Sequence, residues 1–141
     1  MAVHFAGRLL FSWAVLLGLI MAALERLAVL GAGAWGRALA GQFAGAGPVT
    51  LWSHNPARLQ AIKGADDKPI DRITYTTQLS EAVDDAAVLV IAVPSAGVPK
   101  LMAEIKGLVD QGSITTHARP IVLAAKGFAD NGQGLLGELC A

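Results

Sequence analysis

A glycine-rich segment near the N-terminus constrains the fold of this chain more than any other feature. Residues 31–36 read Gly-Ala-Gly-Ala-Trp-Gly, which is a G-x-G-x-x-G pattern. The pattern follows an apolar strand predicted over residues 26–30 and opens a helix predicted over residues 34–45. In this setting Gly31 permits a tight turn, Gly33 lets a pyrophosphate approach the backbone, and Gly36 lets the helix pack closely on the strand. The pattern therefore favours dinucleotide binding over an ordinary glycine turn.

Apolar runs alternate with helical patterns along the rest of the chain. The predicted strands are residues 26–30, 49–52, 73–76, 87–93 and 120–125. The predicted helices are residues 34–45, a helix that opens at Asn55-Pro56, residues 80–83, residues 97–109 and a last helix from residue 134, with a polar loop over residues 63–72. The two longest apolar runs, 87–93 and 120–125, are typical of strands buried in a parallel sheet. The alternation predicts an α/β fold of the Rossmann type, with a doubly wound, mainly parallel sheet and right-handed crossovers.

The composition fits one cofactor-binding domain rather than a nucleic-acid-binding module. A chain of 141 residues supports a single domain. Basic and acidic residues both number 11, and this zero net charge lacks the basic excess of a nucleic-acid-binding protein. The single Cys140 fits a reducing compartment. No metal is predicted, because His4, His54 and His117 are too far apart in sequence to indicate a local site.

The first 24 residues form an apolar extension with three interpretations. Residues 9–24 carry no charge, but the run is shorter than the roughly 20 residues of a membrane-spanning helix. Translation starting at Met21 would place the first strand just after the initiator, and this interpretation favours a cytoplasmic protein. The alternatives are a signal or membrane segment, which would tether the protein through residues 9–24, and an extra packed helical segment. Residues 25–141 then form the dinucleotide-binding domain.

The residues after the second strand bear on which dinucleotide is bound. An NAD site usually carries Asp or Glu about 20 residues after the glycines, where the carboxylate binds the ribose 2′-hydroxyl. Residues 52–58 read Trp-Ser-His-Asn-Pro-Ala-Arg and contain no carboxylate. A 2′-phosphate would therefore meet no repulsion, and His54 and Arg58 could donate hydrogen bonds to it. NADP is favoured, with use of NAD or of both as the alternative.

Two later strand ends supply further candidate residues. Pro94 and Ser95 follow the run 87–93, and Lys126 follows the run 120–125 in a Lys-Gly turn. Ligands of open α/β sheets bind beyond the carboxyl ends of the strands. Ser95 either caps the next helix or lies beside the cofactor. Lys126 either binds a phosphate of the cofactor or substrate, or is a surface lysine.

Several segments occur in the order of a known family. They are LAVLGAGAWG at residues 27–36, VTLW at 49–52, AVPS at 92–95, and Lys126-Gly127-Phe128 followed by Gly134-Leu135-Leu136. Together these segments resemble the N-terminal domain of NAD(P)-dependent glycerol-3-phosphate dehydrogenase of the bacterial type, over residues 26–141. The resemblance implies that Ala34 and Trp35 contact the cofactor and that His54 contacts its adenosine side. It also implies that Lys126 is shared between cofactor and substrate.

The resemblance also implies an activity and a missing part. Enzymes of this family interconvert dihydroxyacetone phosphate and sn-glycerol 3-phosphate, a phospholipid precursor. Their catalytic lysine and helical substrate domain lie beyond the last residue of this chain, so no catalytic residue is assigned. The chain is expected to be inactive alone, with a C-terminal half or a second copy as partner. Two departures are Ala34, where the family usually has Ser, and a short segment between Ile62 and Ile73.

Two other functions remain open. The same N-terminal fold serves other β-hydroxyacid and imine dehydrogenases. A non-catalytic nucleotide-binding or regulatory module is the alternative outside enzymes. Cofactor titration and turnover with dihydroxyacetone phosphate distinguish these possibilities.

Overall fold

The computed structural model describes residues 26–65, 71–115 and 119–125. The strands are β1 (Leu27–Leu30), β2 (Val49–Trp52), β3 (Ile73–Thr76), β4 (Val88–Ile91) and β5 (Ile121–Leu123). The helices are α1 (Ala34–Ala44), α2 (Pro56–Ala65), α3 (Leu79–Asp84) and α4 (Val98–Asp110), and a short 3-10 turn at Ser95–Gly97 precedes α4. The predictions for residues 1–24, for Lys126 and for a helix from residue 134 lie outside the described residues.

The described strands form one parallel sheet in the order β3-β2-β1-β4-β5. The chain runs outward from β1 through β2 to β3, then returns to pair β4 with the other side of β1. Leu27 is therefore in register with Val49 on one side and with Val88 on the other. This arrangement confirms the predicted Rossmann-type, doubly wound sheet, and it puts the reversal of strand order between β1 and β4. Such a reversal opens a crevice at the carboxyl ends of the strands.

Helices cover both faces of the sheet, so the central strands are buried on both sides. All four residues of β1 are buried, with alternate side chains entering opposite cores. The core beneath α1 and α2 includes Leu27, Val29, Ala40, Ala44, Val49, Leu51, Leu59, Ile62 and Val90. The core beneath α3 and α4 includes Ala28, Leu30, Trp52, Ala82, Val83, Leu89, Ile91, Val98, Leu101 and Ile105. Continuous apolar strands are what this two-sided burial requires.

The element boundaries agree with the sequence predictions to within one residue, except in β4, β5 and α2. β2 and β3 have the predicted bounds, and Asn55 caps α2, since its Oδ1 accepts the Arg58 N–H at 3.2 Å. β4 and β5 are shorter than the predicted runs 87–93 and 120–125, and α2 continues to Ala65, inside the predicted polar loop. The prediction of a buried strand over residues 120–125 is wrong about burial. β5 is the edge strand of the described sheet, and Val122 is 49% exposed because β5 pairs on one side with β4.

Arg119 ties the start of β5 to the turn between α3 and β4. Its guanidinium donates to the backbone oxygen atoms of Val83, Ala86 and Thr115. The Thr115 N–H in turn donates to Oδ1 of Asp84 at 2.8 Å. These bonds satisfy carbonyl groups at the end of α3 and hold the chain that enters β5 against the base of β4.

Close packing between α1 and the end of β1 depends on two glycines. Gly31 has a φ of +121°, and a Cβ there would lie 2.8 Å from the backbone of Ala92. A Cβ on Gly36 would lie 1.8 Å from the Gly31 carbonyl oxygen. These distances confirm the predicted turn at Gly31 and the predicted close approach of helix and strand at Gly36.

Membrane-spanning helices and metal-binding clusters are both absent from the described residues. Among them, no helix is both long and apolar enough to cross a bilayer. Within the same residues, no group of three or more His, Cys, Asp or Glu side chains is arranged to hold a metal ion.

Replacing Gly36 by Ala is expected to destabilise the fold by about 1–3 kcal/mol, because the new methyl group overlaps a backbone carbonyl that cannot move independently. The matched control is Gly107→Ala in α4, where nothing lies within 4 Å of the added Cβ. That variant should be neutral or more stable by up to about 1 kcal/mol, since Ala favours a helix over Gly. Urea denaturation measures both free energies of unfolding, and equal midpoints for the two variants would contradict the packing described.

Candidate functional site

A cleft of about 370 Å³ lies at the carboxyl ends of the central strands. Its walls come from the segments that follow β1, β2, β4 and β5, so it occupies the crevice expected where the strand order reverses. The lining residues are Gly31, Ala32, Gly33, Ala34, Trp35, Trp52, Ser53, His54, Arg58, Ala92, Val93, Pro94, Ser95, Ala124 and Ala125.

Most of the residues predicted to bind a cofactor meet in this cleft. Gly31, Gly33, Ala34, Trp35, His54 and Pro94 all line it. Gly36 lies behind the wall, where it packs against the carbonyl of Gly31. Lys126 directly follows the lining residue Ala125 in the chain, but it lies outside the described residues.

The start of α1 forms a cradle suited to a phosphate group. Gly33 precedes the helix in an extended conformation, and a Cβ on it would meet nothing within 4 Å. Where the structure describes the chain, no side chain caps α1 and its first turn carries no acidic residue. The N–H groups at a helix start have no partner within the helix and carry partial positive charge. The residues present therefore fit a dinucleotide whose pyrophosphate lies over Gly33.

The end of β2 forms a second wall with a fixed tryptophan. Trp52 is buried, and its Nε1–H donates to the Thr77 carbonyl at 3.1 Å. The His54 ring lies 6.2 Å from the Trp52 ring, measured between centroids, with the planes tilted by 49°. Neither the indole nor its bond to Thr77 was predicted from the sequence. The signal was present, since a tryptophan that ends a strand beside a polar loop needs a hydrogen-bond partner.

Ser53 is less accessible than its polar character suggests. It is only 4% exposed, and its Oγ accepts the Asn55 N–H at 3.2 Å. His54 and Arg58, by contrast, are exposed and line the cleft. The described lining contains no carboxylate. An anionic group at this end of the cleft would meet donors and no negative charge.

The wall after β4 decides between the two roles considered for Ser95. Ser95 lines the cleft, whereas the residue that caps α4 is Gly97, and no side chain of the described segments bonds to that helix start. Ser95 is therefore part of the cleft wall and not a helix cap. Ala124 and Ala125 complete the wall after β5. Along the described lining, the ionisable side chains are His54 and Arg58, both on the β2 side.

Comparison with known proteins agrees with this geometry. Residues 26–141 match the family described as NAD-dependent glycerol-3-phosphate dehydrogenase N-terminus. Glycerol-3-phosphate dehydrogenase (NAD(P)+) of Limosilactobacillus reuteri is 31% identical over 117 residues, which are 76% of this chain and 33% of the relative. The enzyme of the same name from Chlamydia abortus is 37% identical over 123 residues, which are 82% of this chain and 35% of the relative.

A solved structure agrees with these relatives. The crystal structure of glycerol-3-phosphate dehydrogenase from Coxiella burnetii superposes with a TM-score of 0.64 and 26% identity, and the match covers 82% of this chain and 37% of that one. The chain spans about a third of the length of the curated relatives it matches. These matches confirm the resemblance that the sequence motifs indicated, and the chain belongs to the family of the N-terminal domain of NAD-dependent glycerol-3-phosphate dehydrogenase.

Proposed function

We propose that this chain supplies the NAD(P)-binding domain of an enzyme that interconverts dihydroxyacetone phosphate and sn-glycerol 3-phosphate. The observation that carries the proposal is the cradle at Gly33, which has open space in front of it and a helix start behind it. It lies in the crevice where α/β sheets bind nucleotides, in a chain of this family. A cytoplasmic location fits the proposal, because that compartment supplies nicotinamide cofactors.

Each wall of the cleft takes one part of the cofactor in this proposal. The pyrophosphate is held by Gly31, by Gly33 and by the first two residues of α1, which are Ala34 and Trp35. His54 holds the adenosine side, and Pro94 contacts the cofactor from the wall that follows β4. The nicotinamide supplies the hydride when it is bound. The role of the protein is then to orient the cofactor and to exclude water from its reactive face.

The β2 side of the cleft favours NADP over NAD. A ribose 2′-phosphate would lie near the end of β2, where His54 and Arg58 are exposed donors and the described lining has no carboxylate. Hydrogen bonds between charged groups are roughly twice as strong as those between neutral groups. NAD remains the alternative cofactor, since the glycine cradle serves both dinucleotides.

Substrate binding and proton transfer require groups beyond the described cleft. A small phosphorylated substrate needs a cation, and we assign this role to Lys126, which follows Ala125 of the cleft wall. Reduction of a carbonyl also needs a proton donor. The ionisable groups of the described lining are on the β2 side, away from the β5 end. A C-terminal half or a second copy of the chain is the proposed partner that completes the site.

A non-catalytic nucleotide-binding module is the second candidate. The observation in its favour is the same distribution of ionisable groups, which leaves the β4 and β5 side of the described lining without an acid or base. Another β-hydroxyacid or imine dehydrogenase using this fold is a variant of the first candidate. Turnover assays separate the three.

Gly33→Val is expected to abolish dinucleotide binding while the fold remains intact, because the branched side chain would fill the space over the cradle. Titration with NADPH, followed by its fluorescence, measures the affinity, and circular dichroism checks the fold. Gly107→Val adds the same side chain on α4 at another glycine with nothing within 4 Å, and it should bind like the wild type. Unchanged NADPH affinity in Gly33→Val would refute the assignment of the cradle.

Arg58→Gln is expected to weaken NADPH binding about five- to tenfold, or about 1–1.4 kcal/mol, and to leave NADH binding within about twofold. The reason is that NADPH carries the 2′-phosphate and NADH does not. Lys106→Gln removes the same charge from the part of α4 that does not line the cleft and should change neither affinity. An equal loss of affinity for NADPH and NADH in Arg58→Gln would show that Arg58 does not bind the 2′-phosphate.

The 141-residue chain is expected to bind NADPH and to oxidise none of it with dihydroxyacetone phosphate. Positioning of reactants contributes about 7–11 kcal/mol to catalysis, and the described cleft offers no group that orients a carbonyl. The assay is repeated after addition of the C-terminal domain of a relative, where activity should emerge. Steady-state reduction by the chain alone would contradict the expectation, and turnover of an imine or another hydroxyacid would favour the variant function.

A further inference from the structure

The turn that follows β3 lies directly beside Trp52, behind the cleft. Thr76 ends β3 in register with Trp52, and the Ser53 N–H donates to the Thr76 carbonyl at 3.2 Å. Trp52 is buried, and its indole N–H finds its partner in the Thr77 carbonyl at 3.1 Å. The position of the Trp52 ring therefore depends on the direction of that one carbonyl.

The direction of the Thr77 carbonyl is fixed through the peptide group to which it belongs. This carbonyl and the Gln78 N–H share one planar peptide bond, which is trans, so the two groups point in opposite directions. The Gln78 N–H donates to Oγ1 of Thr76 at 3.0 Å, while the carbonyl accepts from Trp52. The two bonds hold opposite ends of the same peptide group. A rotation that breaks one of them therefore also breaks the other.

The Thr76 hydroxyl is itself oriented by a carboxylate. Its O–H donates to Oε2 of Glu81 at 2.8 Å, which leaves the oxygen free to accept the Gln78 N–H. A hydrogen bond to a charged acceptor is stronger than one between neutral groups. Glu81 lies in the first turn of α3. A continuous series of hydrogen bonds thus joins α3 to the indole of Trp52.

Trp52 in turn supports the exposed residue of the β2 wall. The rings of Trp52 and His54 are 6.2 Å apart between centroids, which is within the range of interacting aromatic pairs, about 4.5–7 Å. His54 is exposed and Trp52 is buried, so the tryptophan is the fixed member of the pair. Both residues line the cleft. A displaced Trp52 would therefore shift the wall against which a cofactor packs.

We infer that Thr76 is a positioning residue of the cofactor site, although it does not line the cleft. It acts through the peptide group between Thr77 and Gln78, which holds Trp52 and, with it, the β2 wall. The inference rests on the proposed function, in which this wall faces the adenosine side of the cofactor. Because NADPH and NADH share the adenosine, a shifted wall weakens the binding of both. This pattern differs from the loss expected for Arg58, which concerns the 2′-phosphate alone.

Thr76→Val removes the hydroxyl and keeps the shape of the side chain. We expect it to weaken the binding of NADPH and NADH by the same factor, about three- to tenfold, as for the loss of one hydrogen bond. Titration followed by the fluorescence of the reduced nicotinamide measures both dissociation constants. Thr76→Ser keeps the hydroxyl and should bind both dinucleotides to within about twofold of the wild type.

A second measurement reports on Trp52 without any cofactor. The chain has three tryptophans, so labelling with 5-fluorotryptophan gives three fluorine resonances, and Trp52→Phe identifies the resonance of residue 52. Thr76→Val should shift this resonance, and Thr76→Ser should return it to the wild-type position. A role confined to stabilising the turn would lower the free energy of unfolding in urea and leave both the resonance and the affinities unchanged.

The matched control is Thr74→Val. Thr74 lies two residues before Thr76 on the same face of β3, it is exposed, and its hydroxyl has no hydrogen-bond partner among the described residues. Thr74→Val should change neither the Trp52 resonance nor the two affinities. Glu81→Ala replaces Thr76→Val if that variant does not fold. It removes the acceptor of the Thr76 hydroxyl and should shift the resonance and weaken both dinucleotides by a smaller common factor.

The outcomes separate this inference from the proposed function. Unchanged affinities in Thr76→Val, a loss for NADPH alone, or an equal effect in Thr74→Val overturns the positioning role and leaves the cofactor site standing. If Glu81→Ala is the variant that folds, an unshifted Trp52 resonance in it has the same meaning. Failure of the wild type to bind either dinucleotide overturns the proposed function and the positioning role with it.

Discussion

The contact between Gly36 and the carbonyl of Gly31 is the constraint on which the rest of the site depends. A side-chain carbon at position 36 would lie 1.8 Å from that oxygen, so α1 can approach β1 only through a glycine. This approach aims the start of α1 across the ends of the strands. Without it, Gly33 would not line the cleft, and the segments after β2 and β4 would face no phosphate cradle.

The attraction of the cleft for an anion is local and does not reflect the charge of the whole protein. The chain has a net charge of zero, yet the described lining contains Arg58 and His54 and no carboxylate. The partial positive charge of the start of α1 adds to this field. On α4, the acidic residue that approaches the site is Glu104, which lines a neighbouring cavity and is paired with Lys100.

Local patterns predicted much of this arrangement, and the parts they missed depend on contacts distant in sequence. β2 and β3 could be bounded from their own residues, and the glycine spacing identified positions 31, 33 and 36, because these are requirements of the backbone at each position. The exposure of Val122 depends on which strand lies at the edge of the sheet. No feature of residues 120–125 indicates the order of the strands in the sheet. The approach of Lys100 and Glu104 to the end of β2 likewise follows from how α4 crosses the sheet.

The strand order has a consequence for how the chain is synthesised. β1 lies at the centre of the described sheet, and Leu27 pairs with Val88, which leaves the ribosome about 60 residues later. At a synthesis rate of about 5–20 residues per second, one edge of β1 remains unpaired for about 3–12 s, until β4 has been synthesised. An apolar strand with an open edge can pair with another nascent chain. Early pairing with β2, which begins at Val49, therefore protects only one edge of β1. The other edge is open to pairing with another chain until β4 pairs with it.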